Sequence, residues 1–357
     1  MLPDLINSIE KSPNGILLCG LLLLAGVFLL VIGGEGLVRG AIGIAKKFGI
    51  GSIIVGLTIV AFGTSAPELA FNVFAAANGH GEISIGNIFG SNIANLALVL
   101  GLAAVVDNHM RRKRNQIEPR KKIYDENFVK REGRWLVSTT VGIVVLTWVA
   151  SQLQEDWSVL GFSWPCGVLL LITFILFFQH VILKSAKSEQ SLHNGQRVSL
   201  PKCIGLLILG ILFLGIGGKA AEIGAVTAAK IVGISDIYVG VTIVALATSL
   251  PEVVTSIIAV RKDEGGMAVG NIVGSNLFNV LLVLPVTMSV PLLMGNPAGN
   301  IIIPEGQEIW IYAFSMLVIT IVAYHHLDTK KDISDEEGYS LLALYVIFIV
   351  VATAWQA

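Results

Sequence analysis

Read for hydrophobicity alone, the chain is a succession of long apolar runs parted by short polar breaks, at about 16–38, 50–77, 84–106, 135–153, 161–183, 202–218, 234–260, 268–293, 308–326 and 340–356. About 20 apolar residues in α-helix cross the ~30 Å hydrocarbon layer of a bilayer. The strands of a membrane β-barrel would instead alternate polar and apolar side chains over about ten residues, and that alternation is missing. The expected fold class is all-α: a polytopic membrane protein of ten transmembrane helices. The first run follows Asp4 and Glu10 and has no small-residue cleavage site, so it reads as a retained span.

Polar residues inside these runs give the next level of organisation. Val60-Ala61-Phe62-Gly63-Thr64-Ser65-Ala66-Pro67-Glu68 lies in the second run, and Val244-Ala245-Leu246-Ala247-Thr248-Ser249-Leu250-Pro251-Glu252 lies 184 residues later in the seventh. The third and eighth runs open with Gly86-Asn87-Ile88-Phe89-Gly90-Ser91-Asn92-Ile93-Ala94-Asn95 and Gly270-Asn271-Ile272-Val273-Gly274-Ser275-Asn276-Leu277-Phe278-Asn279. Residues 49–101 and 233–285 are identical at about half of their positions, without a gap. Five spans separate equivalent elements, and an odd number of crossings reverses direction. The chain is therefore expected to consist of two inverted five-helix repeats, 1–183 and 202–357, with core segments 50–106 and 234–293 and a linker at 184–201. Inverted repeats with interrupted helices are the architecture of secondary transporters, which hold their substrate near the midplane. The first span is expected to end near Gly33-Gly34-Glu35-Gly36, with an amphipathic connector through Arg39 and Lys46-Lys47 to Gly49. Gly33-Gly34 and Gly215, Gly217 and Gly218 mark spans one and six as candidates for a flexible sliding gate.

Composition sharpens this picture. The chain is 54% hydrophobic and 14% charged, and its net charge of -1 points to no nucleic acid or acidic partner. The distribution of charge is more telling. With the N-terminus outside, 21 of the 24 Lys and Arg fall in cytoplasmic segments, leaving Lys11, Lys219 and Lys230 outside. The positive-inside rule then puts both termini on the non-cytoplasmic side. The basic stretch from Asp107 to Arg134 reads as a solvated loop that sets topology. Cys19, Cys166 and Cys203 stand alone, and the histidines are assigned to loops or helix ends, so neither a disulfide framework, a zinc site nor a histidine relay is indicated. The 184–201 linker is too short for a folded regulatory module, which suits a prokaryotic inner membrane. Inorganic cations and membrane lipid are the expected partners, with no cofactor and no obligate protein partner.

The chemistry rests on the duplicated carboxylate. An acidic side chain at the middle of a bilayer costs roughly 2.5 kcal/mol or more, so it normally lines a polar pathway. Pro67 and Pro251 remove a helix hydrogen bond, which is expected to free the carbonyls of Gly63 and Ala247. With Thr64/Ser65, Thr248/Ser249, Asn95/Asn279 and Glu68/Glu252, these make a cluster of hard oxygen ligands. Taken singly, a membrane Thr or Ser more often bonds its own backbone, and an Asn more often joins helices; a midspan Glu recurring in register does not have so plain an explanation. Ca2+ takes 6–8 oxygens and two carboxylates balance its charge, whereas transition metals favour His or Cys. Na+ accepts the same oxygens, and competition for one ligand set is a direct route to exchange. An intramembrane hydrolase using Ser65 or Ser249 would need a His or Lys base that the spans lack. A channel is distinguished by steady conductance in place of saturable counter-transport.

At these residues the sequence resembles the sodium/calcium exchanger branch of the calcium/cation antiporter superfamily, whose two repeats carry GTSxPE and GNxxGSNxxN patterns. The resemblance implies a cation site formed by Thr64, Ser65, Glu68, Ser91 and Asn95 with Thr248, Ser249, Glu252, Ser275 and Asn279, and adds the backbone carbonyls of Ala61 and Ala245. It implies exchange of Ca2+ for Na+, because proton/calcium relatives usually carry a GNxxE-type repeat; H+/Ca2+ or other divalent exchange is the alternative. Three departures stand out: Ala247-Thr248-Ser249 replaces Gly-Thr-Ser, Phe71-Asn72 faces Thr255-Ser256 in the other half, and Asn279 stands where some exchangers have Asp.

Overall fold

The structure is a computed structural model that describes residues 8–9, 11–78, 81–113, 126–152, 164–188, 199–232, 243–294, 308–329 and 333–356, and its regular structure is helical. In chain order the helices are α1 (Gly15–Phe48), α2 (Ser52–Ala77), α3 (Gly81–Ile93, Ala94–Val99 and Leu100–Lys113), α4 (Glu126–Gln152) and α5 (Trp164–Ser188). They continue with α6 (Leu200–Ile231), α7 (Ala245–Thr248 and Leu250–Arg261), α8 (Gly265–Phe278, Asn279–Val283 and Leu284–Leu293), α9 (Glu308–Thr329) and α10 (Asp335–Gln356). Among the described residues, seven stretches are long and apolar enough to cross a membrane, in α1, α2, α3, α6, α8, α9 and α10, and Cys166–Val181 of α5 is a shorter one. Leu24, Phe28, Leu169, Ile208, Ile347 and many similar side chains are exposed on the outer helices. Water would penalise so much open apolar surface, whereas lipid accepts it. The Gly79-His80 turn, the Arg114–Lys122 part of the basic stretch, Glu155-Asp156, most of the 184–201 linker and residues 234–242 of the seventh run lie outside the described residues.

The first helix does not stop at its glycines. α1 runs unbroken for 34 residues and ends at Gly49, whose φ of 66° is the left-handed conformation that glycine adopts without a Cβ penalty and whose N–H donates to the Ala45 carbonyl. The expected connector through Arg39 and Lys46-Lys47 is thus the last part of α1, and α6 likewise continues through Lys219 to Ile231. The glycines have another use. A Cβ on Gly33 would lie 2.7 Å from the Leu214 amide nitrogen, one on Gly210 would lie 2.6 Å from that of Leu37, and one on Gly217 would lie 2.8 Å from the Gly26 carbonyl oxygen. Gly40 meets Cys203 and Gly224 meets Cys19 in the same way. Residues climb α1 as their partners descend α6, so the two helices pack antiparallel. Small residues let membrane helices approach this closely because dispersion and backbone contact, not hydrophobic exclusion, hold them together.

α8 is the buried centre of the molecule, with every residue from Gly265 to Phe278 buried. Gly270 and Gly274 bring it against α2: a Cβ on Gly274 would lie 2.6 Å from the Ala61 Cβ, and one on Gly270 2.8 Å from the Leu57 amide nitrogen. Three helices widen into π turns, at Gly56–Val60 in α2, Ala94–Val99 in α3 and Asn279–Val283 in α8. Ile243 and Val244 at the start of α7 are also π-helical. Such turns leave carbonyls without their usual i→i+4 donor and recur at functional sites.

The two prolines, both expected to loosen their helices, sit differently. Pro67 sits inside a continuous α-helical segment, Ala61–Ala77, and the slack in α2 lies earlier, at its π turn. In α7 the helix does break, at Ser249 (φ −86°, ψ 0°), and Pro251 occupies the first turn of the following segment, where its missing N–H costs nothing.

The glycine seam yields a test. G33A should destabilise the fold by about 1–3 kcal/mol, because the helices must part to admit the methyl. G20A, which meets nothing within 4 Å, should leave thermal unfolding in detergent unchanged.

Candidate functional site

The twelve residues singled out by the sequence lie on four helices. Ala61, Thr64, Ser65 and Glu68 recur every three or four residues along α2, as do Ala245, Thr248, Ser249 and Glu252 along α7; Ser91 and Asn95 are on α3, Ser275 and Asn279 on α8. That spacing turns them toward one helical face. All twelve are buried, and neither Glu68 nor Glu252 has any exposed surface.

Hydrogen bonds join the two halves reciprocally. The Thr64 hydroxyl donates to Asn271 Oδ1 at 3.1 Å and lies 3.3 Å from the Ser275 hydroxyl and from the Ala61 carbonyl oxygen. The Thr248 hydroxyl repeats this with Asn87 Oδ1 at 3.0 Å, Ser91 at 3.2 Å and the Ala245 carbonyl oxygen at 3.1 Å. Each contact is the other displaced by 184 residues. Ala61 and Ala245 therefore present their carbonyls beside the threonines, each at the residue that follows a π-helical stretch. Asn87 and Asn271 were absent from the sequence-derived site, although they lie one turn before Ser91 and Ser275 on the same face. Asn271 is also anchored, donating from Nδ2 to the hydroxyls of Thr255 (3.2 Å) and Ser256 (3.1 Å).

The carboxylates are not equivalent. Glu252 Oε1 accepts from Ser275 at 3.3 Å and from Ser65 at 3.4 Å, which ties the α7 carboxylate to α2 and α8. Glu68 is surrounded by Ser65, Ser91 and Glu252 and feels the charge of Glu252, yet neither of its oxygens is engaged in a hydrogen bond. Glu252 Oε2, the Ser249 hydroxyl and both amide atoms of Asn95 and Asn279 are likewise buried without a partner. Buried polar groups are normally paired, so these unengaged oxygens, with two carboxylates among them, have the chemistry that a hard cation's ligand shell requires. It contains no nitrogen or sulfur ligand. Among the described residues no group of three or more His, Cys, Asp or Glu assembles anywhere. His180, expected at a helix end, instead lies within α5 against Trp135, its ring centroid 6.3 Å away, and takes no part in this shell.

A cavity of about 680 Å³ leads to the cluster from one side. It is bordered by α2 from Pro67 to Asn78 and by Gly218, Lys219 and Glu222 of α6, and it reaches Thr248 and Pro251.

Comparison with known proteins gives a consistent result. The family model described as sodium/calcium exchanger protein matches residues 19–183 and 202–354. The sodium/calcium exchanger MaX1 of Methanosarcina acetivorans is 30% identical over 366 residues, covering 93% of this chain and 97% of its own. The inner membrane protein YrbG of Escherichia coli is 32% identical over 278 residues, covering 75% of this chain and 78% of its own. The solved sodium/calcium exchanger of Methanococcus jannaschii superposes with a TM-score of 0.71 at 28% identity, over 94% of this chain and 98% of that one.

The two asparagines can be told apart by experiment. N271L takes one of several partners from Thr64 and Thr255 and the amide partner of the buried Ser256 hydroxyl, at about 1–3 kcal/mol for a buried group left unpaired. Asn87 Nδ2 has no partner to lose, so N87L should lower the unfolding temperature measurably less than N271L.

Proposed function

The chain belongs to the sodium/calcium exchanger protein family, and from that premise we propose that this multi-pass membrane antiporter exchanges Ca2+ for Na+ at one midplane site. The observation that carries the reading is the pair of fully buried carboxylates, Glu68 and Glu252, together with the buried Ser249 hydroxyl and Asn95 and Asn279 amides that have no hydrogen-bond partner. Two negative charges match one Ca2+ or two Na+, and the ligand atoms suit both ions. In this reading Glu68 and Glu252 supply charge, and Thr64, Ser65, Ser91, Asn95, Thr248, Ser249, Ser275 and Asn279 complete the shell with the carbonyls of Ala61 and Ala245. Asn87 and Asn271 fix the threonine hydroxyls. Both ions compete for the same atoms, so release of one accompanies capture of the other. That the solved relative with this fold is named a sodium/calcium exchanger supports Na+ as the counter-ion.

The finer architecture belongs to the same reading: ten spans, in two inverted repeats, 1–183 and 202–357, joined by the 184–201 linker. In its favour is the reciprocity of the contacts. Gly26 meets Gly217 while Gly33 meets Gly210, which is the pattern of an isologous, two-fold interface. Because α1 and α6 are antiparallel, the two-fold axis lies across the helices, in the plane of the membrane. The termini are then on the non-cytoplasmic side, and an inner membrane location follows the related inner membrane protein YrbG.

Reconstituted protein tests this directly. E68Q and E252Q should each abolish Na+-driven Ca2+ flux while the protein remains monodisperse. A wild-type protein driven by a pH gradient and indifferent to Na+ would replace Na+ with H+ as the counter-ion.

A further inference from the structure

The two halves are alike in sequence but differ in what they close. On one side of the site, α1 packs onto α7: a Cβ on Gly34 would lie 3.0 Å from Ile258, 3.2 Å from Val254 and 3.4 Å from Thr255. The residues 184 positions away from these are Gly218, Phe74, Ala70 and Phe71. They line the open cavity on the other side, where Gly218 has only Pro251, at 3.6 Å, within reach of a Cβ. The same set of positions is therefore shut in one half and open in the other.

Charge follows the same division. At the shut side Glu35 Oε1 lies 2.6 Å from Nζ of Lys262, which caps the C-terminus of α7, and 2.6 Å from Arg39 Nε on its own helix, with the Lys262 and Glu35 side chains only 26% and 34% exposed. At the positions equivalent to Glu35 and Lys262 stand Lys219 and Asn78. Lys219 pairs within its own helix, with Glu222 at 2.7 Å, and lies 5.7 Å from the centre of the Phe71 ring across the cavity. A lysine and an asparagine cannot repeat the ion pair, so closing the cavity side gains no equivalent contact.

We infer that the Glu35–Lys262 pair, steadied by Arg39, is a lock that biases the ion-free protein toward the state in which the Lys219 side is open. This rests on the inverted-repeat reading above. Two packings related by the internal two-fold would otherwise be nearly equal in energy, and one half-buried ion pair is enough to set their ratio. None of the three residues belongs to the cation shell, so the lock sets where the carrier waits and not what it binds.

The test reads conformation without ion flux. In a background with Cys19, Cys166 and Cys203 replaced by alanine, A70C reports the open cavity and V254C the shut side, each by its rate of maleimide labelling in detergent without Na+ or Ca2+. E35Q and K262Q should each slow A70C and speed V254C so that the ratio of the two rates falls by about two- to fivefold, the shift in the equilibrium expected on losing one ion pair of this exposure. E35D, which keeps the charge, should hold the parent rates. Unchanged rates in both E35Q and K262Q would overturn the lock, and so would faster labelling at both positions, which signals general loosening. Should E35Q fail to fold, K262Q carries the decision alone. Absence of Na+-driven flux in the parent would sink the proposed exchange yet leave these rates, and the lock, standing.

Discussion

Two carboxylates held without solvent contact inside a largely apolar helical bundle constrain everything around them. Removing an ionised group from water costs several kcal/mol even after relaxation, and two like charges side by side raise that cost. Glu252 recovers part of it through Ser65 and Ser275; Glu68 recovers none through hydrogen bonds. The remainder has to be offset by positive charge. A carrier built this way is expensive to leave empty while its site is sealed, and that expense is what couples the movement of one cation to the return of another.

The fold answers this constraint with backbone as much as with side chains. π turns in α2, α3 and α8 loosen the helices where carbonyls are wanted, at no cost in helix continuity elsewhere. Gly270 and Gly274 press α8 onto α2 so that Ser275 and Asn271 reach Thr64. The seam between α1 and α6 is lined by glycines seven residues apart that let the two backbones meet closely. A hydrogen-bonded cluster is thus bordered by a pair of long helices packed through glycine.

Much of this was legible in the sequence because the signal was duplicated. A lone Thr-Ser-x-Pro-Glu in an apolar run says little; the same residues 184 positions later fix the carboxylates, the hydroxyls and the cross-repeat geometry together. Asn87 and Asn271 shared that signal and could have been found by extending the Ser91–Asn95 face one turn back. What escaped was set by tertiary context. Glycine clusters read locally as hinges, yet Gly33 and Gly217 are in a continuous helix because another backbone lies against them. Pro67 reads as loosening α2 at its own position, whereas α2 also widens earlier, at Gly56–Val60, in a π turn that no residue preference announces. The Glu35–Lys262 pair spans 227 residues and falls at a position where the repeats differ, so the internal symmetry that exposed the site concealed it.

The most direct test of a shared cation between the repeats is anomalous diffraction from crystals grown in Ca2+. A single strong peak about 2.3–2.6 Å from carboxylate oxygens of both Glu68 and Glu252 is the expected result. Calcium bound elsewhere, with these two carboxylates holding only each other or protein hydroxyls, would contradict the account.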